Sequence, residues 1–324
     1  MSTVAAQPAH VGESARRRAA RAAADAAPAR RRTWRQMKRN RHFYYFVAPF
    51  FILFAIFGLY PLIFSLVLSF VHWDGMTEMQ WVGLRNFARM LDDEILRASL
   101  WNTLVIGLLY IPPMLILAFL LAVGLNASWL RARAFFRASI FLPCVTPIVV
   151  IAVVFKLLYS PERGMLNWVL AWVHLGPIEW LQSTWWSKPA LALLVMWRWT
   201  GYNMVLMLAG LQGIPADTYE AASVDGASRL EQLWHITLPL MRPTFWFCLI
   251  LSLIGTVFMF DEVFVLTNGS GTPGTSLMTF GLYLFNLSFV DFRFGYASAV
   301  AYAISIGVMI VSLVLNGFRR RSDA

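Results

Sequence analysis

The chain has 324 residues, of which 59% are hydrophobic and only 14% are charged. A water-soluble domain of this composition would expose large apolar patches, so we predict an integral membrane protein. The formal charge of +10 would suit a nucleic-acid-binding protein, but residues 1–41 hold eleven Lys and Arg against two acids and the rest is nearly neutral. The composition therefore argues against nucleic acid as a partner.

Residues 1–42 are predicted to be a basic tail. This segment is rich in Pro, Ala and Arg and has no apolar period, so we expect it to be disordered and to lie near anionic lipid heads in the cytoplasm. A cleavable signal peptide is not expected, because the apolar run that follows is too long and no small-residue cleavage site follows it.

Six apolar segments are long enough to cross a bilayer, which takes roughly 20 residues of helix. They lie within residues 43–318 and predict an all-α, polytopic membrane domain: Phe43–Val71, Trp101–Leu125, Ala138–Tyr159, Ala190–Leu211, Phe245–Leu266 and Tyr296–Phe318. Six spans place both termini on one side. Three positively charged segments favour the cytoplasmic side: the basic tail, the Arg-rich loop of residues 126–137 and the arginines of the C-terminal segment 319–324.

Two weaker apolar runs, Met165–Leu181 and Ser276–Val290, are interrupted by Gly, Pro or polar residues. We expect both to be interfacial or re-entrant segments on the outer side. Pro143 and Pro147 fall inside the third span, where each removes a backbone hydrogen bond and can kink the helix.

Residues 215–243, between the fourth and fifth spans, are polar and cytoplasmic by the same parity. Asp217-x-x-Glu220 has the form of a helix start, with Asp217 as the N-cap. Gly226 supplies the residue that can close this helix at positive φ, and Ser228-x-x-Glu231 is a second capping box.

The second of these helices is amphipathic. Leu230, Leu233, Trp234 and Thr237 share one face, and we expect Pro239 and Pro243 to end the helix before the fifth span. A DNA-reading helix pair is disfavoured because few basic residues are present. A helix lying on the membrane surface and a docking site for a partner protein both remain open.

Several motifs in this chain resemble those of permease subunits in binding-protein-dependent ABC importers. Glu220-Ala221-Ala222, Asp225-Gly226 and, nine residues later, Ile236-Thr237-Leu238-Pro239 resemble the EAA loop of that family. Further stretches resemble its carbohydrate branch, which includes the maltose and glycerol-3-phosphate permeases: residues 61–65, 69–70, 82–87, 102–103, 136–137, 208–215, 260–261, 266–267 and 295–297.

The resemblance implies a type I ABC importer permease fold in a bacterial inner membrane. In that family the EAA loop lies in a groove of the ATP-binding subunit and couples ATP hydrolysis to movement of the spans. Carried over, Glu220 is the charged anchor and Gly226 the turn. The full set of implied coupling residues is Glu220, Ala221, Ala222, Asp225, Gly226, Ile236, Leu238 and Pro239.

The same resemblance implies the partners. They are a second, similar permease subunit forming a heterodimer, two ATP-binding subunits that hold ATP and Mg, and an extracytoplasmic solute-binding protein. We expect this chain to bind no cofactor or metal of its own and to be a transport subunit, not an enzyme. Relatives usually carry a compact Gly-Gly-Pro after the fifth span, and residues 268–274 depart from that pattern. The sequence therefore does not define how this outer loop contacts the binding protein.

The expected substrate is a sugar, an oligosaccharide or a glycerol-phosphate compound. Sugar sites combine aromatic faces with side-chain hydrogen-bonding groups. Near the middle of the fourth and fifth spans the chain offers such residues: Trp197, Trp199, Tyr202 and Asn203, with Ser252, Thr256 and Met259. Similarity to the maltose permease places five residues of the fourth and fifth spans at cavity-lining positions: Trp197, Tyr202, Ser252, Thr256 and Met259.

Other function classes receive less support. Residues 269–276 have the glycine spacing of a phosphate-binding loop, but Thr275 stands where the lysine is needed. The sequence suggests no catalytic or metal-binding constellation. An ion-coupled secondary carrier is the alternative, although such carriers bind ions with acids near mid-membrane. Lys156 and Arg198 lie close enough to outer span ends to snorkel, and the roles of Asp261 and Glu262 are left open.

Overall fold

The computed structural model describes residues 41–127 and 129–322, so the predicted disorder of residues 1–40 lies outside the described residues. The chain forms two compact units that divide between Phe64 and Ser65. The first contains helix α1 (Arg41–Phe54), a π-helical turn (Ala55–Leu59) and the start of α2 (Tyr60–Leu68). The first predicted span is thus a helix, but it ends at Leu68 and not at Val71, because Val71 belongs to a strand.

The second unit begins within α2 and is helical apart from one short hairpin. Its strands β1 (Val71–His72) and β2 (Gln80–Trp81) pair antiparallel, with Val71 opposite Trp81. The helices follow in this order: α3 (Arg85–Arg89), α4 (Glu94–Asn126), α5 (Arg133–Val145), α6 (Ile148–Leu158), α7 (Met165–Trp172), α8 (Ser187–Gln212), α9 (Ala216–Val224), α10 (Arg229–Gln232), a π-helical turn (Leu233–Thr237), α11 (Leu238–Val257), α12 (Asp261–Thr267), α13 (Phe280–Phe285), a π-helical turn (Asn286–Val290) and α14 (Phe294–Ser322).

Within the described residues, five helices are long and apolar enough to cross a membrane, and a bent pair of helices makes a sixth candidate. The third predicted span, Ala138–Tyr159, consists of α5 and α6, which meet at 94°, so a kink expected from its prolines is present at Pro147. Thr146 is extended, with ψ of 136°. The ring of Pro147 disfavours helical backbone in the preceding residue, and this explains the break.

The fifth predicted span also differs from the structure at both ends. Its helix is continuous from Arg229 to Val257, so the expectation that Pro239 and Pro243 end a helix is wrong. The π-helical turn Leu233–Thr237 widens the helix shortly before Pro239. A regular α-helical turn at this place would clash with the proline ring. At the other end the helix stops at Val257, and α12 starts at Asp261 after a break.

The break after Val257 is stabilised by polar contacts from the segment before α13. Thr279 Oγ1 donates to the Met259 carbonyl at 2.9 Å, which satisfies a backbone group released by the missing helical turn. Gly281 packs so closely here that a Cβ would lie 2.5 Å from the same carbonyl oxygen. The break is therefore a specified feature of the packing.

The core of the second unit lies around α4 and α8, which pack along each other. Ile106 and Met114 of α4 and Leu194 and Met204 of α8 are fully buried. On another side of α8, a Cβ at Gly201 would lie 2.1 Å from the carbonyl oxygen of Ile140. The helices α5 and α8 thus approach at backbone distance, as small residues permit in membrane proteins.

Both weak apolar runs contain helices shorter than a span, as predicted. The first forms α7, of eight residues, and the second forms α13 with its π-helical turn. The second run is tied to α4 by side-chain bonds: Asn102 Nδ2 donates to the carbonyls of Thr275 (2.6 Å) and Met278 (3.1 Å). These bonds give the Asn102-Thr103 motif a structural role.

Asp93 caps α4 and ties it to the helices that follow. Its carboxylate accepts hydrogen bonds from the backbone N–H of Leu96 and from the hydroxyls of Tyr283 and Tyr296. Burial by itself raises the pKa of Asp93, but these hydrogen bonds outweigh it, so that the pKa lies below its usual value of 3.8.

Candidate functional site

Residues 215–237 form two helices joined by a tight glycine turn, as the sequence predicts. Gly226 has φ of +84°, and a Cβ there would meet no atom within 4 Å. The N–H of Ala227 donates to the Ala222 carbonyl at 2.9 Å, which is the hydrogen bond of a Schellman helix end. The turn requires a left-handed residue, although it leaves room for a side chain.

The two predicted helix starts have different outcomes. The capping box of Ser228 and Glu231 is confirmed, since both of its hydrogen bonds are present, at 3.3 and 2.7 Å. Asp217 as an N-cap is wrong, because Pro215 takes that place and Asp217 lies in the first turn of α9. Pro215 sets the chain direction by its fixed φ, and Asp217 still favours the positive end of the helix dipole.

Side-chain hydrogen bonds hold the helix pair together. Tyr219 of α9 and Thr237 of the π-helical turn lie 3.0 Å apart through their hydroxyls. Gln232 Nε2 donates to Ser223 Oγ at 2.9 Å and to the carbonyl of Ala227 at 3.1 Å. Since the second helix continues into α11, these bonds connect α9 to a helix long enough to span the membrane.

The candidate coupling residues divide by exposure. Glu220, Ala221, Asp225 and Gly226 are exposed, whereas the remaining four are half-buried: Ala222, Ile236, Leu238 and Pro239. The predicted apolar face divides in the same way. Leu233 packs against the core and Thr237 is buried, while Leu230 and Trp234 are 65% and 61% exposed. The pair thus presents acidic, small and apolar side chains away from its own bundle.

A cavity of about 770 Å³ lies between α4, α8, α11 and the break before α12. This volume falls in the range of small-molecule sites, roughly 300–1,000 Å³. Helix α8 contributes the positions Val195, Arg198, Trp199, Tyr202 and Asn203, which follow one face of the helix at spacings of three, four, seven and eight.

Three of the five residues predicted for the substrate path line this cavity: Tyr202, Ser252 and Met259. Thr256 lies behind the wall, where its hydroxyl is 2.6 Å from that of Tyr110, itself a lining residue. Trp197 does not line the cavity. It is 46% exposed and packs on Phe155 with 5.5 Å between the ring centroids.

Charged side chains form part of the cavity wall. Arg198 Nη1 lies 2.6 Å from Glu262 Oε1, and the two side chains are 14% and 7% exposed. Trp199 Nε1 donates to the same carboxylate oxygen at 3.3 Å. Arg198 therefore does not snorkel to an outer surface but forms an ion pair that joins α8 to α12.

Lys156 also has a specific partner, since its Nζ donates to Asn268 Oδ1 at 2.9 Å. Asp261 is exposed and lines the cavity beside the buried Glu262. The four ionisable residues left open by the sequence thus have different positions: Arg198, Asp261 and Glu262 line the cavity, and Lys156 contacts the loop after α12.

Trp199 and Asn203 are among the aromatic and polar residues that the sequence offers near the middle of the fourth span, but the resemblance did not place them at the cavity. Asn203 is 3% exposed, and its Nδ2 donates to the Trp199 carbonyl at 3.1 Å. The Trp199 and Tyr202 rings pack edge to face at 5.8 Å. The helical spacing of these residues with Arg198 was the signal that could have identified them.

Comparison with known proteins gives consistent matches. Residues 103–324 match the family described as "Binding-protein-dependent transport system inner membrane component". The lactose transport system permease protein LacF of Rhizobium radiobacter is 39% identical over 271 residues, covering 83% of this chain and 91% of that protein. The arabinooligosaccharides transport system permease protein AraP of Bacillus subtilis is 33% identical over 273 residues, covering 84% and 86%.

A solved structure is similar over nearly the whole chain. It is the crystal structure of a bacterial alginate ABC transporter in complex with alginate pentasaccharide-bound periplasmic protein. The similar chain has a TM-score of 0.77 and 25% identity, with 90% of this chain and 98% of that chain covered.

Proposed function

Since this chain belongs to the family of inner-membrane components of binding-protein-dependent transport systems, we propose that its cavity is the path by which a carbohydrate crosses the membrane. The chain is the membrane-spanning permease subunit of an ABC importer. The cavity wall carries the proposal, because it combines aromatic rings with hydrogen-bonding side chains at the size of a small-molecule site.

The composition of that wall suits a sugar. Trp199 and Tyr202 offer ring faces for the C–H surface of a pyranose, and Asn203 and Ser252 offer an amide and a hydroxyl for its hydroxyl groups. The transport of lactose and of arabinooligosaccharides by relatives supports the same substrate class.

The helix pair of residues 215–237 is the proposed contact with an ATP-binding subunit. Its exposed residues would lie in a groove of that subunit, which would hold ATP and Mg, so that this chain itself hydrolyses nothing. The continuous helix from Arg229 to Val257 supports this role, because one rigid element joins the contact to the cavity residue Ser252. This arrangement requires the helix pair and both chain termini to be cytoplasmic.

A second permease subunit and a periplasmic binding protein complete the proposed transporter. Leu251 and Ile254 line the cavity although they are 37% and 38% exposed, as expected if another membrane subunit covers this side. A similar transporter has been solved with its carbohydrate-loaded periplasmic protein. The pairing with a second permease, which we expect to be a similar but distinct chain, and the use of two ATP-binding subunits are proposed because each permease contributes one helix pair.

A size block in the cavity tests the substrate path. We expect Ser252→Trp to reduce sugar uptake at least about tenfold, because the indole fills space that the sugar needs. Thr256→Trp should also abolish uptake, since Thr256 is 4% exposed and lies behind the lining residue Tyr110, which an indole at this position would displace. Val314→Trp on the exposed face of α14 is the matched control and should leave uptake unchanged. Wild-type uptake kinetics in Ser252→Trp would contradict the assignment.

A further inference from the structure

We propose that Glu262 neutralises Arg198 so that the cavity accepts uncharged carbohydrates and rejects acidic ones. This inference rests on the proposed function, since it takes the cavity to be the path of a carbohydrate. It narrows the substrate class from carbohydrates in general, including phosphorylated ones, to neutral sugars and oligosaccharides.

The charge balance of the wall is the first argument. Among the described residues that line the cavity, the charged ones are Arg198, Asp261 and Glu262. The ion pair between Arg198 and Glu262 cancels their charges, with 2.6 Å between Nη1 and Oε1. Asp261 remains and is exposed, so the wall has a net negative charge. A sugar carboxylate or phosphate entering here would lose water and meet a like charge.

The neutral polar side chains of the wall are the second argument. Tyr202, Asn203 and Ser252 line the cavity with a phenol, an amide and a hydroxyl, and each of these groups can both donate and accept hydrogen bonds. A sugar hydroxyl also donates and accepts, so it matches these groups, whereas a carboxylate accepts only. The lining thus favours hydroxyl groups.

Arg198 would become an anion-binding group of the wall if Glu262 lost its charge. A guanidinium binds carboxylates and phosphates through its N–H groups, and in the structure Glu262 accepts one such hydrogen bond, from Arg198 Nη1. In Glu262→Gln the side chain keeps its shape and an oxygen that can accept from Trp199, but it no longer neutralises Arg198. We therefore expect this variant to admit acidic sugars.

Measuring sugar binding to the purified transporter in the absence of binding protein distinguishes selection by the cavity from selection by the binding protein. The permease would be purified with its partner permease and ATP-binding subunits in lipid nanodiscs, without binding protein. Calorimetric titration would compare three neutral sugars, lactose, maltose and arabinotriose, with lactose and maltose oxidised to the uronate at one C6. The measured quantity is the ratio of the Kd for the uronate to the Kd for its neutral parent.

In the wild type we expect tighter binding of the neutral form. Glu262→Gln should lower the ratio at least about tenfold, the size expected for one unmasked charge within several Å in a medium of effective dielectric about 20. Asp261→Asn should lower it by a smaller factor, since it removes a charge without breaking the ion pair. The double variant Arg198→Gln/Glu262→Gln is the matched control and should keep the wild-type ratio or exceed it.

An unchanged ratio in a correctly assembled Glu262→Gln transporter would overturn the inference while leaving the proposed function intact. If that variant fails to assemble, Asp261→Asn decides, and an unchanged ratio there overturns the inference as well. A double variant that binds uronates as well as Glu262→Gln does would show that Arg198 is not the anion site. Absence of binding by all three neutral sugars would instead contradict the proposed function itself.

Discussion

The glycine turn of the helix pair gives the sharpest prediction for the coupling role. Gly226 has φ of +84°, and a left-handed backbone costs most L-residues about 1–2 kcal/mol, although Asp and Asn adopt it more readily than the others. A change of this size shifts a local conformational equilibrium by a factor of about 5–30. We therefore expect Gly226→Asp to displace α9 from its position beside the second helix and to reduce ATP-driven uptake at least about tenfold, with normal amounts of protein in the membrane.

The cause can be separated from general damage. A Cβ at Gly226 would meet no atom within 4 Å, so the effect comes from backbone strain and from the contact with a partner, not from a clash within the chain. Gly83→Asp is the matched control, because Gly83 also has positive φ (+58°) and open space around its Cβ position but lies outside the helix pair. It should leave uptake within about twofold of wild type.

The assay is radiolabelled sugar uptake into cells, normalised to the amount of permease by immunoblot, with ATP-binding subunit retention measured by co-purification. Asn tolerates left-handed backbone better than most residues, so Gly226→Asn should retain more uptake than Gly226→Ala. Wild-type uptake in Gly226→Asp at normal abundance would refute the reasoning, as would an equal loss in Gly83→Asp.

Three further predictions concern stability. Gly201→Ala should lower the Tm of the purified complex by several degrees, because its Cβ would lie 2.1 Å from a carbonyl oxygen of α5, while Gly307→Ala, where the Cβ position is open, should not. Asn102→Ala removes two hydrogen bonds, and the Met278 carbonyl loses its side-chain donor, a cost of about 1–3 kcal/mol that chemical denaturation would register. Asp93 has a lowered pKa, so its contribution to stability is present above about pH 4 and is lost as the pH falls through the lowered pKa. In Asp93→Asn the Tm should therefore fall less than in the wild type as the pH is lowered through this range. The same dependence of Tm on pH in both proteins would contradict the prediction.

The all-α membrane fold is confirmed, and each apolar run chosen by hydropathy overlaps one of the five long helices or the bent helix pair of the described residues, because lipid demands long apolar runs. Local capping chemistry located the glycine turn and the Ser228 box equally well. Hydropathy could not show that a helix runs through Pro239 or stops at Val257. Both depend on structure that apolarity does not encode, namely the π-helical turn before the proline and the bond from Thr279 to Met259.

The candidate site was predicted only in part. Successive residues of a helix point about 100° apart, so the choice of Trp197 over Trp199 moved the predicted aromatic residue from one face of α8 to another. The ion pair of Arg198 and Glu262 joins residues that are distant in sequence, on two helices separated by a membrane span. Its formation depends on the break before α12, which no local pattern in the sequence indicated.

The most direct test of the central claim is reconstitution of sugar uptake in proteoliposomes. The vesicles would contain this chain with its partner permease and ATP-binding subunits, and loaded binding protein would be added outside. The account predicts sugar accumulation that requires enclosed ATP and Mg and persists when ionophores collapse all ion gradients. Accumulation that is independent of ATP and abolished by an ionophore would identify an ion-coupled carrier and contradict the account.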